Sequence, residues 1–284
     1  MNMETLLLQD DLDKRQFEIL ENSILEKPEF VSSLNEIMQI NDAANYIKSY
    51  DNFPSRKFEY SYALHALDLT PNMIVADMGC SIDPFAPLLS KRTRVTYGFD
   101  IFSSHDEKWD PENGFRKGLL SGVKKMECYS KLIKDKLGLN VEYHAADMSS
   151  THLPSTALDR IYCISVLEHL PKYKINFVLH EWRRILKQDG RIILTVDYIA
   201  DNNVNFNIGK LINENGLELI GKVKLFPFKV NGRELVVAGF VLSSNSNTTK
   251  PMLFSSLYRK VKVLRRVVDI LFSIKTKIIS KLFN

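Results

Sequence analysis

The sequence predicts an α/β protein built on a doubly wound, mostly parallel sheet of seven strands. Short apolar runs recur through the middle of the chain and end in acidic or small residues, as buried strands do. Segments with apolar residues at three- and four-residue steps separate the first five runs, which is typical of alternating strands and helices. The last two runs, Leu217–Leu225 and Glu234–Leu242, have no helix between them, so we expect an antiparallel pair at one edge.

Length and composition predict one large domain with additions. The 284 residues are 45% hydrophobic and 25% charged, as in ordinary globular proteins. We expect an N-terminal helical cap at residues 1–69, a core at 70–244, and a linker with a C-terminal amphipathic helix at 245–284. In the cap, residues 12–50 and Lys57–Leu69 carry apolar side chains at helical spacing.

Cysteine usage and the absence of long apolar runs predict a location. The three cysteines are scattered and form no CxxC or Cys/His cluster, which favours a reduced cytoplasmic protein without structural zinc. The first residues lack the basic and long apolar segments of a signal peptide, and no run approaches the roughly 18 apolar residues of a membrane span.

A tight turn follows the first strand. The apolar run Met73–Ala76 leads into Asp77-Met78-Gly79-Cys80-Ser81, and the next helix begins at Phe85. Gly79 lets the backbone bend sharply and approach a ligand, and Ser81 is small enough not to block it. This strand–turn–helix can hold a small cofactor at the carboxyl end of a sheet. The alternative is an ordinary βα turn.

Acidic residues also follow the second and third strands. Asp100 ends the strand Arg94–Phe99, at a spacing from Gly79 that suits an acid accepting hydrogen bonds from both hydroxyls of a ribose. The third strand, Val141–Ala145, leads to Asp147-Met148, where a carboxylate can bind an adenine amino group under a covering Met. The connection 101–140 is long; its basic segment 115–137 is predicted to be helical and to shape a substrate entrance.

The remaining core elements alternate in the same way. A polar segment, Val166–Pro171, follows the fourth strand, and Gly216 is expected to cap the last helix. These elements are the strand Leu158–Ser165, a helix to Leu186, a turn at Lys187–Gly190, the strand Arg191–Val196 and a helix at Asn205–Asn215.

From Tyr60 to Leu242 this ordered set resembles the class I S-adenosylmethionine-dependent methyltransferases, especially their small-molecule, type 11-like branch. The resemblance implies a Rossmann-like methyltransferase fold and S-adenosyl-L-methionine as cofactor. A nicotinamide enzyme is less favoured, because its last glycine would fall at Pro84 and it has no use for the acid–Met pair. The positions that resemble the family's cofactor-binding residues are Asp77, Gly79, Cys80, Ser81, Asp100, Ile101, Asp147, Met148 and Ser165.

The sequence departs from the family pattern at the turn. Ser81 and Asp83 stand where the family usually carries glycine. Serine is a mild change, whereas an added acid near the methionine part of the cofactor can repel its carboxylate unless the side chain lies away from it.

The segment after the fourth strand, Cys163–Leu170, resembles the part of the family site beside the transferred methyl group. No Asn-Pro-Pro-aromatic motif occurs there, which favours an oxygen acceptor. His169 is the preferred general base, because an imidazole titrates near neutral pH, and Glu168 is the second catalytic candidate. Alternatively, both residues only begin the next helix. Scattered acids predict a metal-independent reaction.

The basic character of the chain is concentrated in its tail. Residues 250–284 contain nine Lys or Arg and one acid, which gives them a net charge of +8. Because the whole chain has a net charge of +4, the remaining residues carry −4. Leu, Ile and Val recur on one face of a helix predicted from Pro251, with basic residues opposite. This pattern favours an anionic membrane surface or a homo-oligomer partner, and makes nucleic acid unlikely.

Together these features predict an enzyme that O-methylates a small molecule or saccharide. A lipid-linked glycan of polysaccharide biosynthesis, met at the cytoplasmic face of a membrane, is the finer expectation. The alternatives are a quinone, lipid or RNA methyltransferase, and a non-catalytic protein that binds S-adenosylmethionine.

Overall fold

The computed structural model of the chain describes residues 54–66, 69–81, 85–101, 127, 129–199, 208–230 and 233–244. Several predictions lie outside these residues: the helices in 12–50, most of the basic insertion, Asp83 and the tail beyond residue 244. The described helices are α1 Pro54–His65, α2 Phe85–Ser90, α3 at residues 129–137, α4 Lys172–Ile185 and α5 Ile208–Glu214.

The strands form one sheet in the order β3-β2-β1-β4-β5-β8-β6, with β7 also paired to β8. The first five are parallel, and β6, β7 and β8 are antiparallel to their neighbours. The predicted doubly wound, mostly parallel sheet is therefore confirmed. The strands are β1 Ile74–Met78, β2 Val95–Asp100, β3 Val141–Ala145, β4 Leu158–Ile164, β5 Leu186–Ile199, β6 Glu218–Leu219, β7 Lys224–Val230 and β8 Arg233–Ser243.

The strand order reverses between β1 and β4, because β2 and β3 lie to one side of β1 and β4 and β5 to the other. In open α/β sheets, ligands bind at the carboxyl ends of the strands beside such a switch point. The loops after β1, β2, β3 and β4 therefore form the candidate site.

The sheet has eight strands and not the predicted seven. The stretch Leu217–Leu225, expected to be one strand, is divided into β6 and β7. Gly221 lies between them with φ of +73°, a left-handed conformation that interrupts an extended strand. Both short strands pair with the same edge of β8. Leu219 of β6 pairs with Leu242, and Lys224, the first residue of β7, pairs with Gly239.

The predicted turn Lys187–Gly190 is also wrong, since these residues lie within β5. Leu158 of β4 pairs with Leu186, but Arg160 pairs with Arg191, so the register shifts between the two pairs. β5 therefore has three more residues than β4 between these pairs, which form a bulge or irregularity within the strand. The predicted helix ends one residue early, at Ile185.

Helices cover both faces of the sheet. Trp182 and Leu179 of α4 pack with Ile212 of α5 against one face, and Phe85 of α2 and Ile133 of α3 pack against the other. Gly216, with φ of +65°, ends α5 as predicted. Among the described residues, no helix is long and apolar enough to cross a membrane.

Candidate functional site

The turn after β1 crosses the end of β2. The backbone N–H groups of Gly79 and Cys80 donate to the carbonyl of Phe99 at 2.7 and 3.1 Å. Ser81 N–H donates to the Oδ2 atom of Asp100 at 2.9 Å. Asp100 therefore holds the turn directly and is well placed, at the tip of β2, to meet a ligand lying over it.

Two residues of this turn have left-handed backbone conformations, Gly79 with φ of +81° and Ser81 with φ of +47°. Gly79 also has no room for a side chain, because an added Cβ would lie 2.5 Å from a methyl group of Val166. The segment after β4 thus packs directly on the turn after β1. Ser81, treated above as a mild change, takes a conformation that favours glycine.

A second carboxylate follows β3. Ser149 donates to Asp147 Oδ1 through its backbone N–H at 2.8 Å and its hydroxyl at 2.7 Å. Lys174, in the first turn of α4, donates to Asp147 Oδ2 and to Ser149 Oγ, the latter at 2.8 Å. Burial alone would raise the pKa of Asp147, but these hydrogen bonds outweigh it and hold the pKa below its usual value.

Asp100 and Asp147 lie at adjacent strand ends. Asp100 pairs with Ala145 in the parallel register of β2 and β3, and its carbonyl accepts the N–H of Ala146 at 2.9 Å. Neighbouring strands lie about 4.8 Å apart, so the two carboxylates face one small region of the sheet edge.

The other predicted cofactor residues are distributed around this edge. Asp77 and Cys80 are buried, Ile101 is half-buried after β2, and Met148 packs partly against the core. Ser165 is buried just after β4. Whether each contacts the cofactor stays a prediction.

Ser165 belongs to a group of buried and half-buried polar residues at the ends of β4 and β5. Its hydroxyl contacts Oε1 of Glu59, from α1, and lies 3.0 Å from Oδ1 of Asp197. Thr195 Oγ1 donates to the same Glu59 oxygen at 2.6 Å. Glu168 joins the group, because its Oε1 accepts the N–H of Asp197 at 2.9 Å. We call Glu59, Ser165, Glu168, Thr195 and Asp197 the buried acidic group.

Glu168 has a raised pKa. Burial, followed by the charges of Asp197 and Glu59, raises the pKa of Glu168 to about 8, although the N–H of Asp197 opposes the shift. Its Oε2 atom is buried and has no hydrogen-bond partner among the described residues. An oxygen in this state can hold a proton or accept one near neutral pH.

The histidines lie in environments that differ from the surroundings of Glu168. Glu168 and His169 lie in a 3₁₀ turn, Leu167–His169, and not in the following helix; His169 is exposed. His65, at the end of α1, is exposed as well. His144 lies in β3 and stacks on Phe99 with ring centroids 4.9 Å apart, so its ring has a packing role.

Comparison with known families and structures adds to this geometry. Residues 76–194 match the family model described as a methyltransferase domain. No curated protein matches the chain. This match covers less than half of the chain, and it supports the class I S-adenosylmethionine-dependent methyltransferase family that the sequence resembles.

Two solved structures are similar to the chain. The YcgJ protein of Bacillus subtilis is 15% identical, with 66% of this chain and 98% of that chain covered and a TM-score of 0.50. A TehB-like S-adenosylmethionine-dependent methyltransferase of Corynebacterium glutamicum is 20% identical, with 69% and 95% covered and a TM-score of 0.45. At such identities the first similarity shows the fold alone.

The residues at the methyltransferase site fit its cofactor, S-adenosyl-L-methionine. Asp100 is the residue predicted to bind the ribose diol, and Asp147 is the residue predicted to bind the base. Carboxylates at the strand ends also suit a ligand that carries a sulfonium cation. When bound, this cofactor supplies an activated methyl group, so the protein has to align the acceptor and remove its proton.

Sequence reasoning did not assign Glu59, Lys174, Thr195 or Asp197 to the site. A signal for Glu59 was available, because it lies among the buried residues Tyr60 and Ala63 of α1 and a lone acid on an apolar face needs partners. Lys174 had no such signal, since one basic residue near the start of a helix is common. Among the described residues, no group of three or more His, Cys, Asp or Glu is arranged to hold a metal ion.

Proposed function

We propose that this methyltransferase transfers the methyl group to a hydroxyl oxygen of a small molecule or saccharide, with Glu168 accepting the proton. The observation that carries the proposal is the buried Glu168 Oε2 atom, which lacks a partner among the described residues and belongs to a carboxyl group with a pKa of about 8. A general base is most effective when its pKa lies near the working pH.

The position of Glu168 supports this role. It follows Val166 by two residues, and Val166 packs against Gly79 in the cofactor turn. The segment 166–168 therefore contacts the turn after β1 through Val166 and the buried acidic group through Glu168. As the acceptor oxygen gains the methyl group, its proton would pass to Oε2, and Glu168 would become neutral. His169, which is exposed, stays the second candidate for this step.

The hydroxyl of Ser165 explains how the group tolerates several buried acids. A serine hydroxyl has one hydrogen, so it can donate to Glu59 or to Asp197, but not to both at once. The second contact is favourable only when that carboxyl group carries a proton itself. The group is therefore built to share protons, which suits a site that takes one from an acceptor.

Product analysis tests the choice of oxygen. The full-length protein would be incubated with S-adenosylmethionine carrying a ¹³C-labelled methyl group and a cell extract separated into lipid, small-molecule and macromolecular fractions. We expect the label as a methyl ether or ester in the lipid or small-molecule fraction, identified by its carbon chemical shift. Label on nitrogen, or in RNA, would contradict the proposal.

We also propose that the acceptor is met at an anionic membrane surface, through residues 251–284. The support is the tail's sequence, with its +8 charge and its apolar stripe. The full-length protein should sediment with phosphatidylcholine vesicles that contain phosphatidylglycerol, and binding should weaken with salt. Truncation after Ser244 should abolish sedimentation but preserve cofactor binding.

A variant of full length is the matched control for the truncation. Replacing Lys262, Arg266, Lys277 and Lys281 with glutamine halves the tail's net charge and should weaken the dependence on anionic lipid without shortening the chain. Loss of a dimer on truncation, with no vesicle binding by the full-length protein, would identify the tail as an oligomerisation element.

A further inference from the structure

Asp147, Ser149 and Lys174 are joined by hydrogen bonds, and these bonds have a further role that methyl transfer itself does not require. We propose that Lys174 sets the base specificity of the cofactor site by holding the Asp147 carboxylate so that it accepts an exocyclic amino group and rejects a carbonyl. The inference rests on Asp147 as the residue that meets the base, and it is independent of the acceptor and of the proton-accepting residue.

The number of hydrogen bonds at Asp147 carries the argument. The two oxygens of a carboxylate offer about four acceptor positions. Ser149 fills two of them, at Oδ1, through its N–H and hydroxyl. Lys174 fills one at Oδ2. Counting the described residues, about one position therefore remains, on the oxygen that Lys174 holds, and it can only accept a hydrogen bond.

The electrostatics keep this position an acceptor. The hydrogen bonds from Lys174 and Ser149 hold the pKa of Asp147 below its usual value, so the carboxyl group is ionised throughout the neutral range. An ionised carboxylate attracts the amino group of adenine and repels the carbonyl oxygen that hypoxanthine carries at the same ring position.

The pair is also accessible to a ligand. The side chains of Lys174 and Asp147 remain 27% and 34% exposed, at the carboxyl edge of the sheet. A second ion pair, between Lys187 and Asp159, is comparable in kind, with a distance of 2.8 Å. Asp159 also accepts the N–H of Ile74, at the start of β1, so that pair lies at the opposite edge of the sheet.

The two ion pairs provide a matched experiment. Calorimetry would compare the affinities of S-adenosylhomocysteine and its inosine analogue for the wild-type protein, Lys174→Met, Lys174→Arg and Lys187→Met. The wild type should prefer the adenine compound by about tenfold or more, as expected for one charge-assisted hydrogen bond. Lys174→Met should reduce this preference to about threefold or less, mainly by weakening the adenine compound.

The other variants separate recognition from structure. Lys174→Arg, which keeps the charge and the donors, should retain most of the preference. Lys187→Met should lower the melting temperature but leave the preference unchanged. An unaltered preference in a folded Lys174→Met protein would overturn the inference and leave Lys174 as a link between α4 and the loop after β3. Equal affinity of the wild type for both compounds would overturn it as well.

Discussion

The carboxyl groups on the two sides of the site face the same sheet edge in opposite electrostatic environments. On the cofactor side, Asp147 accepts hydrogen bonds from a lysine and a serine, and its pKa is lowered. On the side proposed to meet the acceptor, Glu168 lies among other carboxyl groups, and its pKa is raised to about 8. Burial raises the pKa of both carboxyl groups, so the difference between their pKa values comes from the groups that surround them.

This difference assigns the two sides different tasks. A carboxylate that stays ionised at every neutral pH is a fixed acceptor, which suits recognition of a cationic cofactor with hydroxyl and amino groups. A carboxyl group that titrates near pH 8 can exchange a proton during a reaction. The comparison therefore predicts that substitutions on one side change affinity, and that those on the other change turnover.

The largest expected effect is on turnover. Glu168→Gln keeps an oxygen to accept the N–H of Asp197 but cannot take a proton, so turnover should fall by about 10²-fold or more with little change in cofactor affinity. Single-turnover kinetics and calorimetry would measure the two quantities. The rate of the parent enzyme should rise with pH through about 8.

His169→Ala is the matched control for Glu168→Gln, because the two residues are neighbours in one 3₁₀ turn. If His169→Ala loses turnover and Glu168→Gln does not, the base is the imidazole, as the sequence alone suggested. Loss in neither variant would remove both residues from proton transfer.

The second effect is on the pH dependence of stability. The pKa of Glu168 is about 8 in the folded protein and near the ordinary 4.5 in the unfolded chain, so folding favours its protonated form. Its contribution is fully present below about pH 4.5 and is lost as the pH rises to about 8. Each pKa unit corresponds to about 1.4 kcal/mol, so the loss should amount to a few kcal/mol.

Melting curves of Glu168→Gln and the parent protein at pH 5, 7 and 9 would measure this contribution. The variant should gain stability relative to the parent as the pH rises. A constant difference across this range would mean that Glu168 is ionised in the folded protein, and the contrast between the two sides would fail.

The third effect concerns cofactor affinity. Asp100→Ala should remove the expected hydrogen bonds to the ribose, which are worth about 1.5–3 kcal/mol each for a charged acceptor, and weaken S-adenosylhomocysteine at least tenfold. Calorimetry would measure the affinity, with the exposed Asp189 of the β5 bulge, replaced by Ala, as a control. The apo melting temperature should fall only slightly, through loss of the Ser81 N–H bond. Unchanged affinity would exclude Asp100 from the ribose site.

The two sides also differ in how much the sequence could predict. Asp100 and Asp147 could be predicted because Asp100 ends a strand and Asp147 lies two residues after one, and a strand is a local pattern. The buried acidic group depends on contacts between distant parts of the chain, since Glu59 and Ser165 are separated by 106 residues. Its members come from a helix, two strand ends and a 3₁₀ turn, and only the folded sheet brings these elements together.

The errors in the fold have the same origin. The bulge of β5 and the division of β6 from β7 depend on pairing with β4 and β8, and not on the local apolar pattern. The left-handed conformation of Ser81 was likewise invisible, because the resemblance marked the position as a usual glycine without showing its φ angle. Strand existence was predictable from local sequence, whereas register and backbone conformation were not.

The smallest expected effect comes from two serines, one on each side, that share this conformation. Ser81 has φ of +47° and Ser165 has φ of +49°. Glycine would relieve about 1–2 kcal/mol of strain at either position but would add roughly 0.5–1 kcal/mol of chain entropy to the unfolded state. Ser81→Gly should therefore change the free energy of unfolding by only about 1 kcal/mol or less, in the stabilising direction.

Ser165→Gly relieves the same strain but also removes the hydroxyl that contacts Glu59 and Asp197. Leaving buried carboxyl groups without that partner costs about 1–3 kcal/mol, so this variant should be destabilised in spite of the relieved backbone. Urea unfolding of both variants at pH 7 would give the two free energies, and their difference measures the serine hydroxyl in the buried acidic group. Equal stabilisation of both variants would show that the hydroxyl contributes nothing there, and that the carboxyl groups on the acceptor side do not depend on the proton that Ser165 shares with them.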